Sequence, residues 1–475
     1  MLKFISRDRE TPEKRAAEAR RADFGEIYAR FSAERAAEQS SRCSQCGVPF
    51  CQNHCPLGND IPDWLRLVAE GRMQEAYEVS SATNNMPEVC GRICPQDRLC
   101  EGACVIEQSG HGTVTIGSVE QYITETAFEN GWVKPIVPAQ ELSRSVGIIG
   151  AGPAGLAAAE ELRKEGVQVT VYDRYDRAGG LLIYGIPNFK LEKSVVERRV
   201  ERLKASGVVF ALNFEVGRDA SLAELRERHD AILIAVGVYK ARELPCPGST
   251  EAHVAAALDY LVASNRKGLG DEVEAYDSGV LNAEGKRVVV IGGGDTAMDC
   301  VRTAVRQGAS SVRCLYRRDR ANMPGSQREV SNAEEEGVVF EWIAAPKAVM
   351  AGGVRAVRMR LGAADASGRQ APEEAPGSEY DLGADLVIKA LGFEPEDAHR
   401  MFGEQSLAVT RRGTLRVDPD TLETNLKGVY AAGDIVRGAS LVVWAIRDGR
   451  VAASAIMARL AEETTTAARA MAAAE

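Results

Sequence analysis

The pattern of hydrophobic and polar positions changes near residue 145. Before that point the chain shows almost no strand-like alternation. An amphipathic helix is predicted where apolar side chains recur at i, i+3, i+4 and i+7, at Phe24, Ile27, Tyr28 and Phe31. We expect this helix to pack within its own domain, with a partner-binding helix as the alternative. The first 143 residues are therefore predicted to form a helical domain.

Two βαβ units are predicted beyond residue 145. The first places strands at 146–149 and 167–172 around a helix at 153–165. The second places strands at 287–291 and 311–316 around a helix at 296–307. The repeated βαβ start indicates two dinucleotide-binding domains. Later apolar runs predict further buried strands at 231–236, 386–391 and 429–432, and a helix at 440–460.

A glycine loop joins the strand and helix of the first unit, with the sequence Gly150-Ala-Gly152-Pro153-Ala154-Gly155. The first glycine permits the tight turn, the second lets the backbone approach a pyrophosphate, and the third allows close helix–strand packing. Asp173 stands 18 residues beyond Gly155, where a carboxylate can accept hydrogen bonds from ribose hydroxyls. A plain structural turn is the alternative, and the complete strand–loop–helix–Asp set favours a dinucleotide.

The second unit carries a similar loop, with the sequence Gly292-Gly-Gly294-Asp295-Thr296-Ala297. Its second strand ends at Arg317 and Arg318 rather than at a carboxylate. Guanidinium groups form paired hydrogen bonds with phosphate oxygens, so these arginines suit the 2′-phosphate of NADPH. Asp319 follows them, and a solvated basic turn is the alternative reading.

The segment Ala431-Ala-Gly433-Asp434 indicates which loop binds the flavin. An Asp between a strand and a helix can bind the ribityl chain of FAD, and the helix N-terminus can stabilise negative charge on the reduced flavin. Such a segment must return to the first βαβ unit, so the NADPH domain is predicted to be inserted in the FAD domain. Neither dinucleotide region contains Cys-x-x-Cys, so electrons must leave FAD by a route other than a dithiol.

Eight of the eleven cysteines fall in two blocks. The blocks are Cys43-x2-Cys46-x4-Cys51-x3-Cys55-Pro and Cys90-x3-Cys94-Pro-x4-Cys100-x3-Cys104. Clustered cysteines in a reducing compartment indicate metal binding, and a cysteine followed by proline is a ferredoxin feature. Two [4Fe–4S] clusters are therefore predicted, with structural zinc as the alternative. His54 is expected not to be a ligand, and Cys246, Cys300 and Cys314 are expected to be structural.

Composition excludes some classes of function. The net charge of −10 gives no electrostatic support for nucleic-acid binding. No signal-peptide pattern is present, and the longest apolar run is too short to span a bilayer, so we expect a cytoplasmic protein without a membrane partner. A length of 475 residues suits two to four domains.

Taken together, these motifs resemble those of the family of the small (β) subunit of bacterial NADPH-dependent glutamate synthase. The resemblance covers essentially the whole chain. The wider family includes the N-terminal part of dihydropyrimidine dehydrogenase. The match is carried by both cysteine blocks, both glycine loops, and the segments at 179–187 (Gly-Gly-Leu-Leu-Ile-Tyr-Gly-Ile-Pro), 323–329 (Met-Pro-Gly-Ser-Gln-Arg-Glu) and 431–438.

The resemblance implies an electron-input subunit. NADPH would be oxidised at FAD, and [4Fe–4S] clusters would pass electrons to the FMN of a large (α) partner subunit that makes L-glutamate from L-glutamine and 2-oxoglutarate. The expected NADPH residues are those of the second loop with Arg317 and Arg318. The expected FAD residues are Gly150, Gly152, Pro153, Ala154, Gly155, Asp173, Gly180, Leu181, Gly237, Gly433 and Asp434.

The resemblance also implies how the cysteines are shared between the clusters. In the dihydropyrimidine dehydrogenase relatives one cluster takes the first three cysteines and the last. Here that set is Cys43, Cys46, Cys51 and Cys104. The second cluster would then take Cys55, Cys94 and Cys100 with a non-cysteine fourth ligand at Glu120, where those relatives have Gln, and Cys90 would be spare. The count of eight cysteines instead favours Cys90, so Cys90 and Glu120 both stay candidates.

The predicted architecture is multidomain, with an α-helical iron–sulfur domain followed by two α/β Rossmann-like domains. The expected division is 1–143 for iron–sulfur, 144–284 and 396–475 for the two parts of the FAD domain, and 285–395 for NADPH. One alternative is an NAD(P)H-dependent subunit of a dihydropyrimidine dehydrogenase or of a ferredoxin:NADP transhydrogenase. An alternative of another class is a metal-stabilised binding module with vestigial nucleotide sites.

Overall fold

A computed structural model describes residues 1–364 and 370–472 of the chain. The last three residues of the predicted segment 396–475 lie outside this description, as do residues 365–369 of the predicted NADPH domain. The N-terminal domain is helical, as predicted. Its α-helices are α1 Ala17–Ala22, α2 Ala33–Ser41, α3 Phe50–Asn53, α4 Ile61–Ala69, α5 Met73–Thr83, α6 Pro87–Ile93, α7 Val105–Gln108 and α8 Ile116–Glu129, with 3-10 turns at Lys3–Ile5 and Gln96–Arg98.

The amphipathic helix predicted around residues 24–31 is not formed. Ile27 and Phe31 are buried, but the backbone there is extended and forms an antiparallel bridge between Tyr28 and Lys14. Hydrogen bonds from Arg15 N to Ile27 O and from Ala29 N to Glu13 O extend this pairing. The apolar residues at helical spacing are therefore buried by a strand-like pairing with residues 13–15, which no local pattern reveals.

Helices α6 and α8 are in close contact at Gly91. A Cβ atom at this position would stand 2.7 Å from the backbone nitrogen of Gln121. The absence of a side chain brings helix α6, which carries Cys90, against helix α8, which carries Glu120. This packing therefore places two residues from distant parts of the sequence in one site.

The rest of the chain forms two parallel five-stranded sheets. Their order is β15-β4-β1-β2-β3 in the first and β6-β13-β7-β8-β9 in the second. The strands within the described residues are β1 Ser145–Ile149, β2 Gln168–Tyr172, β3 Val209–Ala211, β4 Ala231–Ile234, β5 Lys240–Ala241, β6 Val254–Ala256, β7 Arg287–Ile291, β8 Ser311–Tyr316, β9 Val339–Trp342, β10 Ala344–Met350, β11 Gly353–Ala364, β12 Gln370–Gly383, β13 Leu386–Lys389, β14 Phe393–Glu394 and β15 Val429–Ala431.

Helices pack against both sheets, as expected for parallel strands that are buried on two faces. Strand β4 is buried along its whole length, for example. The helices are α9 Pro153–Lys164, α10 Leu181–Tyr184, α11 Lys193–Ala205, α12 Leu222–Arg228, α13 Ala257–Gly268, α14 Glu274–Asp277, α15 Asp295–Arg306, α16 Gln327–Glu335, α17 Ala398–Phe402, α18 Asp434–Arg437 and α19 Val442–Ala472.

The chain leaves the first sheet after β4, builds the second, and returns to the first. Strand β15 pairs with β4 in parallel, with Val429 opposite Ile232. The short strands β5 and β14 pair antiparallel where the chain passes between the two sheets. The edge strand of the second sheet, β6, precedes residue 285. Strands β10–β12 form a separate antiparallel sheet.

Direct contacts join the N-terminal domain to the second sheet. The Lys14 ammonium lies 2.6 Å from the Glu335 carboxylate. The Ser326 hydroxyl lies 3.4 Å from the Asp97 carboxylate. The helical domain therefore contacts the elements that follow the second glycine loop. No helix in residues 1–364 or 370–472 combines the length and apolar character needed to cross a bilayer.

Candidate functional site

The first glycine loop, between β1 and α9, has the shape of a pyrophosphate cradle. Gly150 has φ +109°, and a Cβ atom there would stand 2.4 Å from the carbonyl oxygen of Ala235. A Cβ atom at Gly155 would stand 2.0 Å from the oxygen of Gly150. At Gly152, by contrast, no protein atom lies within 4 Å of a Cβ position. Two glycines are thus required by packing, and the middle one faces open space where a phosphate can approach the backbone.

Asp173, at the end of β2, holds this loop. Its carboxylate accepts hydrogen bonds from the backbone nitrogens of Ala151, at 2.7 Å, and Tyr175, at 2.9 Å. Burial raises the pKa of Asp173, and these two hydrogen bonds oppose that rise. A carboxylate has about four lone-pair sites, so two backbone bonds leave capacity for a ribose hydroxyl.

Glycines from three other segments lie close to the first loop or to its aromatic neighbour. A Cβ atom at Gly180 would stand 2.9 Å from the Cα atom of Gly152, and one at Gly433 would stand 3.1 Å from the Cβ atom of Ala154. A Cβ atom at Gly237 would stand 3.2 Å from the ring of Tyr239. The predicted FAD residues are therefore brought together around Gly152, with Pro153 opening helix α9 and Leu181 opening helix α10.

Asp434 follows Gly433 and opens helix α18. Burial, together with the charge of Asp448, raises the pKa of Asp434 to about 7, although a backbone hydrogen bond from Ser440 opposes the shift. Burial also raises the pKa of Tyr239, with smaller contributions from the nearby Asp173 and Asp434 carboxylates. The C-terminal segment and the end of β2 thus face the same buried tyrosine.

The second glycine loop lines a cavity of about 710 Å³. Gly292 has φ +148°, and a Cβ atom there would stand 2.2 Å from the oxygen of Ala390. No protein atom lies within 4 Å of a Cβ position at Gly294, as at Gly152 in the first loop. Helix α15 begins at the next residue, Asp295, and Thr296 lines the cavity, while Ala297 is buried.

Arg317 and Arg318 line the same cavity. The Nε atom of Arg318 is buried and has no hydrogen-bond partner in the part of the chain that the structure describes. The Asp319 carboxylate instead accepts hydrogen bonds from the backbone and side-chain nitrogens of Asn322, at 2.9 and 2.8 Å. The neighbouring Arg320 pairs with Glu334 at 2.7 Å. The two predicted arginines are thus the ones at this strand end that face the cavity, which suits a 2′-phosphate.

The thiols fall into two groups, which we name by position. The outer thiol group is Cys43, Cys46, Cys51 and Cys104. Burial raises the pKa of Cys51 to about 12, and its further causes include the charges of Cys43, Cys104 and Cys46. Cys104 comes from the second cysteine block, so the fold brings the two blocks together in this group, as the resemblance implies.

The inner thiol group is Cys55, Cys90, Cys94 and Cys100. A hydrogen bond from the Cys94 thiol to Cys90 is the main cause that raises the pKa of Cys94, followed by burial and by the charges of Cys90, Glu120 and Cys100. Cys90 and Cys94 pack against the core of the first sheet, whereas the outer group packs within the helical domain. Burial penalises a thiolate in both groups, and bound iron would offset that penalty.

Glu120 lies beside Cys90 and the rest of the inner thiol group. Glu120 Oε1 accepts hydrogen bonds from the amides of Asn59, at 2.9 Å, and Asn84, at 3.1 Å. Cys90 Sγ lies 3.8 Å from Asn84 Oδ1. Among the described residues, no three or more His, Cys, Asp or Glu side chains are close enough together to hold one metal ion. A cubane attaches each ligand to a different iron, so its ligands stand farther apart than those of a single ion.

A cavity of about 140 Å³ lies where the three domains meet. Cys90 and Cys94 line it from the helical domain, Asp295 from the second glycine loop, and Ser440 from the segment before helix α19. This cavity connects the inner thiol group with both dinucleotide regions. Residues from all three domains therefore line one cavity.

An ion pair in the same cavity was not found by sequence reasoning. Lys190 Nζ lies 2.9 Å from Asp299 Oδ1 and 4.0 Å from Glu329 Oε2. Burial raises the pKa of Asp299 to about 6, although Lys190 opposes the rise. Lys190 comes three residues after the matched segment 179–187, and Glu329 ends the matched segment 323–329. These positions are the local signal that could have pointed to the pair.

Two family profiles match the chain. Residues 20–132 match a family described as dihydropyrimidine dehydrogenase domain II, 4Fe-4S cluster, and residues 144–449 match pyridine nucleotide-disulphide oxidoreductase. The glutamate synthase [NADPH] small chain of Azospirillum brasilense is 69% identical over 462 residues, covering 96% of each chain. This chain belongs to the glutamate synthase [NADPH] small chain family.

The family assignment extends to more distant relatives. The glutamate synthase [NADPH] small chain of Escherichia coli is 46% identical over 467 residues, covering 96% of this chain and 98% of that relative. The solved structure of Mycobacterium tuberculosis FprA in complex with NADPH has a TM-score of 0.58 at 20% identity, over 68% of this chain and 86% of that one, and shows a shared fold.

Membership of the glutamate synthase small chain family confirms several predictions. The chain is an NADPH-dependent oxidoreductase subunit with a helical 4Fe–4S domain followed by α/β domains of the pyridine nucleotide oxidoreductase type. A small chain also implies a large-chain partner.

Proposed function

We propose that this chain is the electron-input subunit of glutamate synthase. The observation that carries the proposal is the cavity shared by Cys94, Asp295 and Ser440, because it connects the helical domain with both dinucleotide regions. Bound FAD would supply the exchange between the hydride of NADPH and single electrons, which two [4Fe–4S] clusters would carry to the FMN of a large subunit that makes L-glutamate from L-glutamine and 2-oxoglutarate.

The first sheet holds FAD in this proposal. The backbone at Gly152 faces the pyrophosphate, and the N-terminus of helix α9 supplies N–H groups and positive potential. Asp173 accepts from the adenosine ribose, and Asp434 accepts from the ribityl chain. Packing supports these roles, because glycines at 150, 155, 180 and 433 keep side chains out of the cradle.

The second sheet holds NADPH. The backbone at Gly294 and the N-terminus of helix α15 face the pyrophosphate, while Arg317 and Arg318 bind the 2′-phosphate. This domain is inserted between the two parts of the FAD domain, since β15 returns to the first sheet after the second is complete. The division we propose is 144–284, 285–395 and 396–475, although the edge strand β6 of the second sheet, Val254–Ala256, comes before residue 285.

The helical domain, 1–143, holds one cluster at each thiol group. Cys43, Cys46, Cys51 and Cys104 bind the outer cluster. Cys55, Cys94 and Cys100 bind the inner one, with Glu120 or Cys90 as the fourth ligand. Every cysteine that the structure describes is a free thiol, which suits the reducing cytoplasm, where we place the protein.

The proposal is tested with the purified chain and its large partner. Anaerobic NADPH should bleach the flavin absorbance of the chain alone. L-Glutamate should form from L-glutamine and 2-oxoglutarate only when the large subunit is added. A purified chain with no flavin absorbance would overturn the proposal, as would glutamate formation by the large subunit from NADPH without this chain.

A further inference from the structure

An exposed apolar surface lies beside the outer thiol group. Among the described residues, Leu2, Ile5, Val48 and Phe50 are 59%, 77%, 58% and 44% exposed. We call these four side chains the outer apolar patch. Val48 and Phe50 occupy the loop between Cys46 and Cys51. Exposed apolar side chains on two segments that flank one thiol group favour an interaction site over ordinary monomer surface.

The N-terminal residues of the patch are fixed to the same thiol group. The backbone nitrogen of Leu2 donates a hydrogen bond to the oxygen of Cys43, at 3.0 Å. Leu2 has φ +63°, a left-handed conformation that costs a leucine about 1 kcal/mol or more. The Phe4 ring packs edge-on against His111, with 5.4 Å between ring centroids. The chain end is therefore held in place beside Cys43 with two apolar side chains facing outward.

The segment that contributes Val48 and Phe50 to the patch lacks charge, whereas the exposed Lys3 stands between Leu2 and Ile5. Residues 43–59 contain no Asp, Glu, Lys or Arg, in a chain that is 27% charged. Charged residues are depleted at the core of protein interfaces, whereas ordinary solvent-exposed loops are rich in them. An uncharged, apolar segment such as residues 43–59 is thus suited to burial by another protein and suits neither nucleic acid nor an anionic membrane surface.

The position of the patch identifies its partner. Cys90 and Cys94 of the inner thiol group pack against the core of the first sheet and line the cavity shared with both dinucleotide regions. Cys43, Cys51 and Cys104 of the outer thiol group pack within the helical domain. Cys55 and Cys100 of the inner group pack against that same helical core, so the two groups adjoin there. Electrons that enter at the inner group therefore leave beneath the patch.

We propose that the outer apolar patch is the docking surface for the large subunit, which seats its own redox centre over the outer thiol group. This inference rests on the proposed function and adds the surface through which it operates. The patch is narrow, so its side chains act as a few central anchors, and loss of one such anchor weakens binding by about tenfold or more.

The test uses charge substitutions with matched controls. Ile5→Glu and Val48→Glu place a carboxylate in the patch. The control variants Val137→Glu and Val280→Glu place a carboxylate at exposed valines away from the patch, which are 87% and 55% exposed. Val137 lies in the helical domain but outside its cysteine loops, and Val280 lies beyond that domain. For each chain, iron content, NADPH oxidation with ferricyanide, the dissociation constant for the large subunit, and glutamate formation are measured.

We expect Ile5→Glu and Val48→Glu to weaken large-subunit binding by tenfold or more and to slow glutamate formation at limiting concentration. Iron content and ferricyanide reduction should stay at the wild-type level, and the control variants should bind within twofold of wild type. Ile5→Glu decides the result if Val48→Glu loses iron, because Ile5 is outside the cysteine loops. Patch variants that bind like the controls would overturn the docking surface, while failure of the wild-type chain to reduce ferricyanide would instead overturn the proposed function.

Discussion

Arg20 and Glu336 form an ion pair across the boundary between the helical domain and the second sheet. Arg20 Nη1 lies 3.2 Å from Glu336 Oε1, and the two side chains are 2% and 0% exposed. Arg302 and Arg306, both in helix α15, also donate to this carboxylate, at 2.9 and 2.7 Å. Three guanidinium groups thus converge on one buried carboxylate and fix helix α1 against the helix that follows the second glycine loop.

Substitution of Arg20 should therefore loosen the helical domain. Removal of one partner from a buried ion pair commonly costs about 3–5 kcal/mol, and two remaining arginines on Glu336 reduce this to about 1–3 kcal/mol. Arg20→Met should lower the thermal unfolding midpoint and speed proteolysis near residue 20. Arg15→Met is the matched control, because Arg15 pairs with Asp23 at the surface and should matter little. Equal effects of the two variants would contradict the role of the buried pair.

The open face of Gly152 gives a prediction on flavin content. Gly152→Val adds a side chain whose Cβ atom has no described protein atom within 4 Å and which fills the space in front of the loop, so the protein should fold and bind much less FAD. Gly268→Val is the control, since Gly268 also has no neighbour within 4 Å of a Cβ position and lies in helix α13, away from the loop. Flavin absorbance per chain, with circular dichroism for folding, decides the matter. Full flavin content in Gly152→Val would contradict the cradle.

The arginines at the end of β8 should set the choice between NADPH and NADH. A hydrogen bond to a charged group contributes about 1.5–3 kcal/mol, so the double variant Arg317→Ala with Arg318→Ala should raise the KM for NADPH at least tenfold. The KM for NADH should change little. Arg320→Ala, which removes the neighbouring arginine paired with Glu334, should leave the ratio of the two KM values unchanged. An equal rise for both nucleotides would remove the 2′-phosphate role.

Single substitutions distinguish the two candidates for the fourth ligand of the inner cluster, Glu120 and Cys90. Two cubanes hold about eight iron atoms per chain. We expect Glu120→Ala to lose about half of this iron and Cys90→Ala to retain it, as the resemblance implies. Iron analysis and EPR of the reduced protein provide the measurement. The reverse result would assign Cys90 as the ligand. Cys51→Ser serves as a positive control, since it should lose the iron of the outer cluster.

The raised pKa of Asp434 predicts how the stability of the apoprotein depends on pH. The folded-state pKa, about 7, exceeds the ordinary value of 3.8, so the folded state binds a proton that the unfolded state has released between these values. Stability contributed at this site is therefore complete below about pH 4 and is lost as pH rises to 7. After allowance for partial exposure, Asp434→Asn should stabilise the apoprotein at pH 8 by about 1–3 kcal/mol relative to pH 4. An identical pH profile for both proteins would contradict the shift.

Local signals predicted the glycine loops and their strands well, whereas the division of the cysteines between two clusters is implied by the family resemblance and stays a prediction. Each loop depends on residues that are adjacent in sequence, where a turn, an exposed backbone and a helix start must coincide. Strands β1, β2, β7 and β8 were predicted within one residue of their observed ends, because parallel strands buried on both faces leave continuous apolar runs.

Features that depend on distant residues could not be predicted. The apolar residues at 24–31 are buried by a pairing with residues 13–15, which competes with the helix that their spacing favours. Glu336 meets Arg20 from more than 300 positions away, and Lys190 meets Asp299 only because two sheets adjoin. The sequence of either partner alone carries no sign of the other.

The return of the chain to its first sheet has a consequence for synthesis on the ribosome. Strand β15 completes that sheet, and Gly449 lets helix α19 contact helix α9, where a Cβ atom would stand 2.2 Å from the oxygen of Ala154. The helical domain and the second sheet have all their strands and helices once residue 402 has emerged, whereas the first sheet still lacks its last strand and its long helix. Because domains generally fold as units during translation, the flavin cradle is the last part to close. A nascent chain that stops before residue 429 therefore presents both thiol groups without a completed flavin site beside them.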